Sequence, residues 1–354
     1  MADIQHIKKM ITTKTRRLQK LREQQALTGI NTAPEKLIEI EDIEAELEVL
    51  QVELKNLESA ASVTSAASTT PTKVDLIHIH NWGQRPAKFP KEAIVLDWNG
   101  EGKFEDPLNR PRKSPDAATW RNILLPELFD LPQKISGEGL VRLEGRCALS
   151  TGFAFGHVFK VKARYRLEVA QFVPGKGIEY WAADQRPPVG SQPPQFVQRL
   201  IQRTRPAPTQ EPPPQTANDG VVIVNALTKS PSTAIVRDVG SYFGETEAFG
   251  QSLSGESQFQ AVKGILILEA EAATQAKRQL EGWEAASLAE SSCWLLKDFI
   301  DQVKPENLHL FLAVPVGLAV FLGHYWDTIK RNVYCYEEVG GERVYAPACE
   351  LWLS

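Results

Sequence analysis

The segment VRLEGRCALSTGFAFGHVF from Val141 aligns without a gap on LHLFLAVPVGLAVFLGHYW from Leu308. Val141 falls on Leu308, Leu143 on Leu310, Gly156 on Gly323, His157 on His324 and Phe159 on Trp326. The match extends outward. ILLPELFDL from Ile123 resembles WLLKDFIDQ from Trp294, and RYRLEVAQ from Arg164 resembles NVYCYEEV from Asn332. Each half then closes with another strand, IEYWAAD or RVYAPACEL, and KEAIVLDW before the first unit parallels GVVIVNAL before the second. An internal repeat of this length fixes architecture before any other feature does. Each half reads as strand, helix, strand, helix, strand, strand. Apolar strands alternating with helices predict a parallel sheet covered on both faces. Two such α/β units in one chain predict a pseudo-dimer.

The chain has 354 residues, which leaves room for further elements around the repeat. Residues 1–58 read as an α-helical hairpin. A first helix is rich in Lys and Arg. A second is acidic and carries Ile40, Ile43, Leu47, Leu50, Leu54 and Leu57 as an a/d seam, which predicts a partner-binding coiled coil. Residues 59–73 are mostly Ala, Ser and Thr with one Pro, a flexible linker by composition. The expected globular part, 74–354, divides into a first half (74–185), a Pro-rich insertion (186–219) and a second half (220–354). Within the insertion Phe196 to Arg205 is expected to form a helical turn or two. A single long helix is expected from Ala272 to Val303, with Trp283 and Trp294 in the core.

Forty Lys and Arg against 44 Asp and Glu give a net charge of −4, which argues against a polycation coating long nucleic acid. No run of 18 apolar residues marks a membrane span, and no apolar leader follows Met1. The cytoplasm is the expected location. Cys147, Cys293, Cys335 and Cys349 lack CxxC spacing and read as buried thiols. His78 and His80 share one face of a strand, but no third ligand follows at metal spacing. No cofactor is expected.

In open α/β sheets, ligands bind beyond the carboxyl ends of the strands, where helix N-termini favour phosphate. Four turns there are candidates. They hold Ser150, Thr151 and Gly152; Pro315 and Gly317; Thr228, Lys229 and Ser230; and Trp98, Asn99 and Lys103, where the Trp98 indole could stack on a base. No Walker A, GxGxxG, GxSxG or HExxH sequence is present. His157 and His324 follow glycines between apolar neighbours, which favours packing over catalysis.

LDWN (Leu96 to Asn99), TWRNILLPEL (Thr119 to Leu128), RLEGRCALSTGFAFGHVF, HLFLAVPVGLAVFLGHYW and the closing VYCYEE…VYAPACEL resemble the SAVED domain. The resemblance covers residues 74–354. It implies two fused CARF-like Rossmann units that sense a cyclic tri- or tetranucleotide in bacterial antiphage defence, in CBASS operons or type III CRISPR systems. It further implies a basic pocket between the halves and head-to-tail self-association on binding. The segment before residue 74 is too short for an effector module, so the resemblance implies an effector, such as a protease or nuclease, on another chain. Two other readings stand beside it: a ring nuclease using His157, Ser150 or Lys229, and a ligand-independent assembly subunit.

Overall fold

The computed structural model describes residues 14, 43, 74–106, 112–135, 139–203, 215–228, 232–252, 259–340 and 345–352. The chain separates into two units, Met1–Thr72 and Lys73–Ser354. In the first unit, Lys14 and Ile43 are helical and Ile43 is buried. The remaining seam residues, Ile40, Leu47, Leu50, Leu54 and Leu57, lie outside the described residues.

The second unit holds two sheets. In the first, β1 (Val74–His80), β2 (Ile94–Asp97), β3 (Leu140–Arg146), β4 (Arg166–Val173) and β5 (Gly177–Ala182) lie in the order β2-β1-β3-β4-β5. All neighbours are parallel except the β4–β5 hairpin. The second sheet contains β6 (Phe196–Gln202), β7 (Gly220–Asn225), β8 (Gly264–Ala270), β9 (Asn307–Ala313), β10 (Asn332–Glu338) and β11 (Tyr345–Leu351) in the order β11-β10-β9-β7-β8-β6. Its four central strands are parallel and its two edges antiparallel. Without β6, both sheets have the 2-1-3-4-5 order of a doubly wound Rossmann-type fold. The duplication is therefore one of topology as well as sequence.

The topology re-pairs the outer strands. β1 and β7 hold the same place beside β3 and β9, so VDLIHIH is the mate of GVVIVN, and the IVLD strand β2 is the mate of GILILEA in β8. Each half thus begins with two parallel strands. The expected turns at Phe196 are instead strand β6, which pairs with β8 along its whole length and supplies that edge with hydrogen bonds. The expected long helix is broken. Glu271–Thr274 is a short helix and α4 (Gly282–Val303) starts afresh, capped by Glu281 and Glu284, after Lys277 turns the backbone at φ 52°. Trp294 lies on its outer face, 67% exposed, so it is not a core residue.

Helix α1 (Leu149–Val158) follows β3, and α5 (Val316–Tyr325) follows β9. Both are apolar all round, as a helix buried on every side requires. They pack on each other between the two halves. A Cβ on Gly156 would overlap the Val320 carbonyl oxygen, and one on Gly323 would overlap that of Phe153. Phe153 and Val320 are themselves repeat mates, so one contact is made twice about the pseudo-twofold axis. Glycine is required because backbone meets backbone there. Other described helices include α2 (Ser232–Tyr242), which covers the opposite face of the second sheet, α3 (Thr246–Ser252) and a helical stretch at 117–134.

Candidate functional site

The helices α1 and α5 point their N-termini across the pseudo-twofold axis at strands of the opposite half. At α1, the Glu337 carboxylate from β10 accepts from Leu149 N (3.4 Å), Ser150 N (3.0 Å) and Ser150 Oγ (2.6 Å). At α5, Gly317 N donates to Gln171 Oε1 from β4 at 3.0 Å. Glu337 is buried, and burial raises its pKa, against the pull of the hydrogen bonds from Ser150 and Leu149. A carboxylate is the anion that a helix N-terminus attracts. The α1 terminus is therefore already filled from within the chain, and Ser150, Thr151 and Gly152 are buried. Gly152 faces Val320 of α5, so its small size serves the helix contact and leaves no room there for a phosphate.

The α5 end differs because its partner is a neutral amide. Beside it a cavity of about 180 Å³ opens between the halves. Gln171, Phe172, Val173, Pro174 and Trp181 line it from the first half; Ala226, Leu227, Thr228, Gln279, Leu280 and Pro315 line it from the second. Two candidate turns, Thr228 and Pro315–Gly317, are thus brought together. The turn after β7 is shaped by Asn225, whose Oδ1 accepts from Leu227 N (3.1 Å) and whose Nδ2 meets Ser232 Oγ (2.8 Å). Lys229 and Ser230 follow directly in sequence and lie outside the described residues. Trp181 packs over Gly317, and its buried indole nitrogen has no hydrogen-bond partner among the described residues.

The fourth turn is built otherwise. Trp98 is fully buried; its indole donates to Glu127 Oε2 at 2.6 Å and meets Trp120 edge-on. A base cannot stack on it without opening the core. Asn99 Nδ2 donates to the Gly83 carbonyl at 2.6 Å and so ties two loops together. Lys103 is half-buried on the same turn, and none of the three lines the cavity.

His324 is buried and hydrogen-bonded through Nδ1 to the Phe159 carbonyl, whereas His157 Nδ1 has no partner among the described residues. Burial lowers the pKa of His157 to about 4. Both lie in the helix pair, as packing residues do. At the carboxyl end of β1, His78 and His80 stack with ring centroids 6.4 Å apart, edge-on to Phe89. No group of three metal-ligating side chains exists among the described residues. The four cysteines are free thiols, three of them buried and Cys293 half-buried. No described helix is long and apolar enough to cross a membrane.

The sequence reading missed the two caps. The sequence alignment sets the two strands in another register; only the sheet pairing, Leu143 beside Val169 and Leu310 beside Cys335, brings Gln171 and Glu337 to matching positions.

Two fused Rossmann-type units with a cavity between them, beside the N-terminus of a buried helix, make up the fold class of this chain. The chain belongs to the SAVED family: the family model described as "SMODS-associated and fused to various effectors sensor domain" matches residues 126–351. Among solved structures, the Acinetobacter baumannii Cap4 SAVED/CARF-domain containing receptor with the cyclic trinucleotide 2'3'3'-cAAA is similar, at a TM-score of 0.51 and 18% identity. The alignment covers 94% of this chain and 65% of that one. The same receptor with 3'3'3'-cAAA gives a TM-score of 0.50 and 17% identity over the same shares. The chain therefore spans just under two thirds of the length of these receptors. A search of curated proteins gave no match.

Proposed function

We propose that the chain senses a cyclic oligonucleotide of three or four nucleotides, held between its two halves, in antiphage defence of the CBASS or type III CRISPR kind. The observation that carries this reading is the unequal capping of α1 and α5. One helix N-terminus is filled by Glu337, and the other faces a neutral Gln171 beside an open cavity lined from both halves. A phosphate placed there meets a positive helix end and the Thr228 turn, which Lys229 and Ser230 follow in sequence. Receptors of the same fold were solved with cyclic trinucleotides, which supports a ring of that size.

Binding drives head-to-tail association of copies in the cytoplasm, and the hairpin seam recruits an effector on another chain. The protein performs no chemistry of its own. Ser150, bonded to Glu337, and His157, buried in the helix pair, are poorly placed for a ring nuclease. A thermal-shift panel of cyclic di-, tri- and tetranucleotides tests the reading, since a ligand bound only by the folded state raises stability by mass action. Product analysis of the same mixtures should return intact rings. No shift with any ring would leave the assembly subunit, and linear products would leave the nuclease.

A further inference from the structure

The face of the second sheet that carries α2 holds two adjoining cavities, of about 420 and 480 Å³, which share Thr216, Tyr242 and Tyr336. Their aromatic residues Tyr336 and Tyr345, with Phe243 and Tyr334 packed against them, belong to the core on the α2 side, whereas α5 packs in the other core, to which Cys335, Ala348 and Cys349 of the first cavity belong. Their walls are aromatic: Tyr242, Tyr334 and Tyr336 in one, Phe243 and Tyr345 in the other. A hydrogen-bond chain runs beneath them. Asp219 Oδ1 accepts from Asn307 N and Nδ2, its Oδ2 meets His309 Nε2 at 3.0 Å, and His309 Nδ1 meets Tyr336 Oη at 2.6 Å. Although burial acts to raise the Asp219 pKa, the bonds from His309 and Asn307 win and lower it, so this carboxyl is ionised. The Asp219 carboxylate thus holds His309 through Nε2, and His309 Nδ1 ties Tyr336 Oη into the same chain. The carboxylates of Asp219, Asp238 and Glu350 are the charged acceptors among the lining residues.

Charge points the same way. The charged side chains lining the two cavities are Asp219, Asp238 and Glu350, with neither Lys nor Arg among the lining residues. Asp219 is committed to His309 and Glu350 to Arg121, while Asp238 has no ion-pair partner among the described residues. A nucleotide phosphate would be repelled. The first half has no counterpart: the repeat mates of His309 and Tyr334 are Arg142 and Glu168, which pair with each other at 2.7 Å beside Tyr180. The His309–Tyr334 pairing that walls the cavity is thus not repeated on β3 and β4.

We infer that this tyrosine-walled cavity binds an organic cation bearing a guanidinium or primary ammonium group, held between ring faces and acceptor oxygens. The experiment is a calorimetric titration of the full chain with agmatine, with spermidine and with a blocked arginine-containing tripeptide. Saturable binding is expected, weakened about tenfold or more by Asp238→Asn and by Tyr334→Leu. Both variants should keep the wild-type melting temperature and the cyclic-nucleotide response. Tighter binding of the tripeptide assigns the cation to a partner polypeptide, and tighter binding of the free amines assigns it to a small metabolite. The inference falls if none of the three probes saturates at millimolar concentration, if neither substitution weakens binding, or if AMP competes.

Discussion

Glu337 and Gln171 stand at matching positions of the two repeated units, and each caps the helix of the other half: Glu337 at Ser150 N, Gln171 at Gly317 N. The exchange crosses the pseudo-twofold axis twice, once with a carboxylate and once with an amide.

The unequal caps predict that Gln171→Glu will close the second helix end as Glu337 closes the first. A carboxylate there would repel a phosphate, so affinity for the cyclic oligonucleotide proposed as ligand should fall at least tenfold, while the fold, which already accepts this arrangement at α1, should persist. Titration of the ring into both proteins checks it. Undiminished affinity would place the phosphate elsewhere.

Glu337 also gives the protein a pH dependence. Burial raises its pKa above the usual 4.5, so folding disfavours its charged form relative to the unfolded chain. The stability this group supplies is fully present below pH 4.5 and is lost as pH rises through the folded value. Relative to wild type, Glu337→Gln should therefore gain stability as pH rises across that window. Melting curves of both proteins at successive pH values should diverge in that direction, and parallel curves would show that the carboxylate is fully solvated.

His157 acts in the opposite sense. Its pKa is lowered from 6.5 to about 4, chiefly by burial, so the unfolded chain binds the proton first. Its contribution is intact above pH 6.5 and is lost as pH falls toward 4, by roughly 3 kcal/mol in all. His157→Leu should remove that acid sensitivity, whereas His324→Leu, which orphans the Phe159 carbonyl, should cost about 1–2 kcal/mol at neutral pH. Urea unfolding at pH 7 and pH 5 separates the two.

Gly156→Ala and Gly323→Ala should each destabilise the domain by about 2 kcal/mol or more, because each added methyl meets a backbone oxygen that cannot swing aside. The contacts share one helix pair, so the double variant should cost less than the sum once the first methyl has forced the helices apart. Additive losses in denaturant titrations would mean that the two contacts are independent.

The duplication was legible because helix and strand mates match in sequence, and with it came the parallel sheets and the glycine contact. The outer pairing was not, because VDLIHIH carries two histidines and an aspartate and looks less like a buried strand than KEAIVLDW does. Strand β6 was ambiguous for a physical reason. Phe196, Leu200 and Ile201 fit one face of a helix as well as an edge strand, and only the free edge of β8 decides between them. The reading of Ser150 and Gly152 as a phosphate turn rested on local chemistry alone. What fills that turn, Glu337, arrives from the far end of the chain, and local pattern carries no information about it. Trp98 shows the same limit: an indole beside a turn looks available until Glu127 and Trp120 are seen around it.

Fusing the two units in one chain has a geometric consequence. A dimer of identical subunits presents two identical half-sites, so whatever substitution closes one closes both. A ring of three nucleotides has no twofold axis, and in such a dimer it must satisfy one half-site at the expense of the other. Covalent duplication removes that constraint, because the two matching positions can hold different residues, Glu337 in one half and Gln171 in the other. The cleft between the halves is thus asymmetric although its plan is twofold, with a carboxylate at one helix end and an amide at the other.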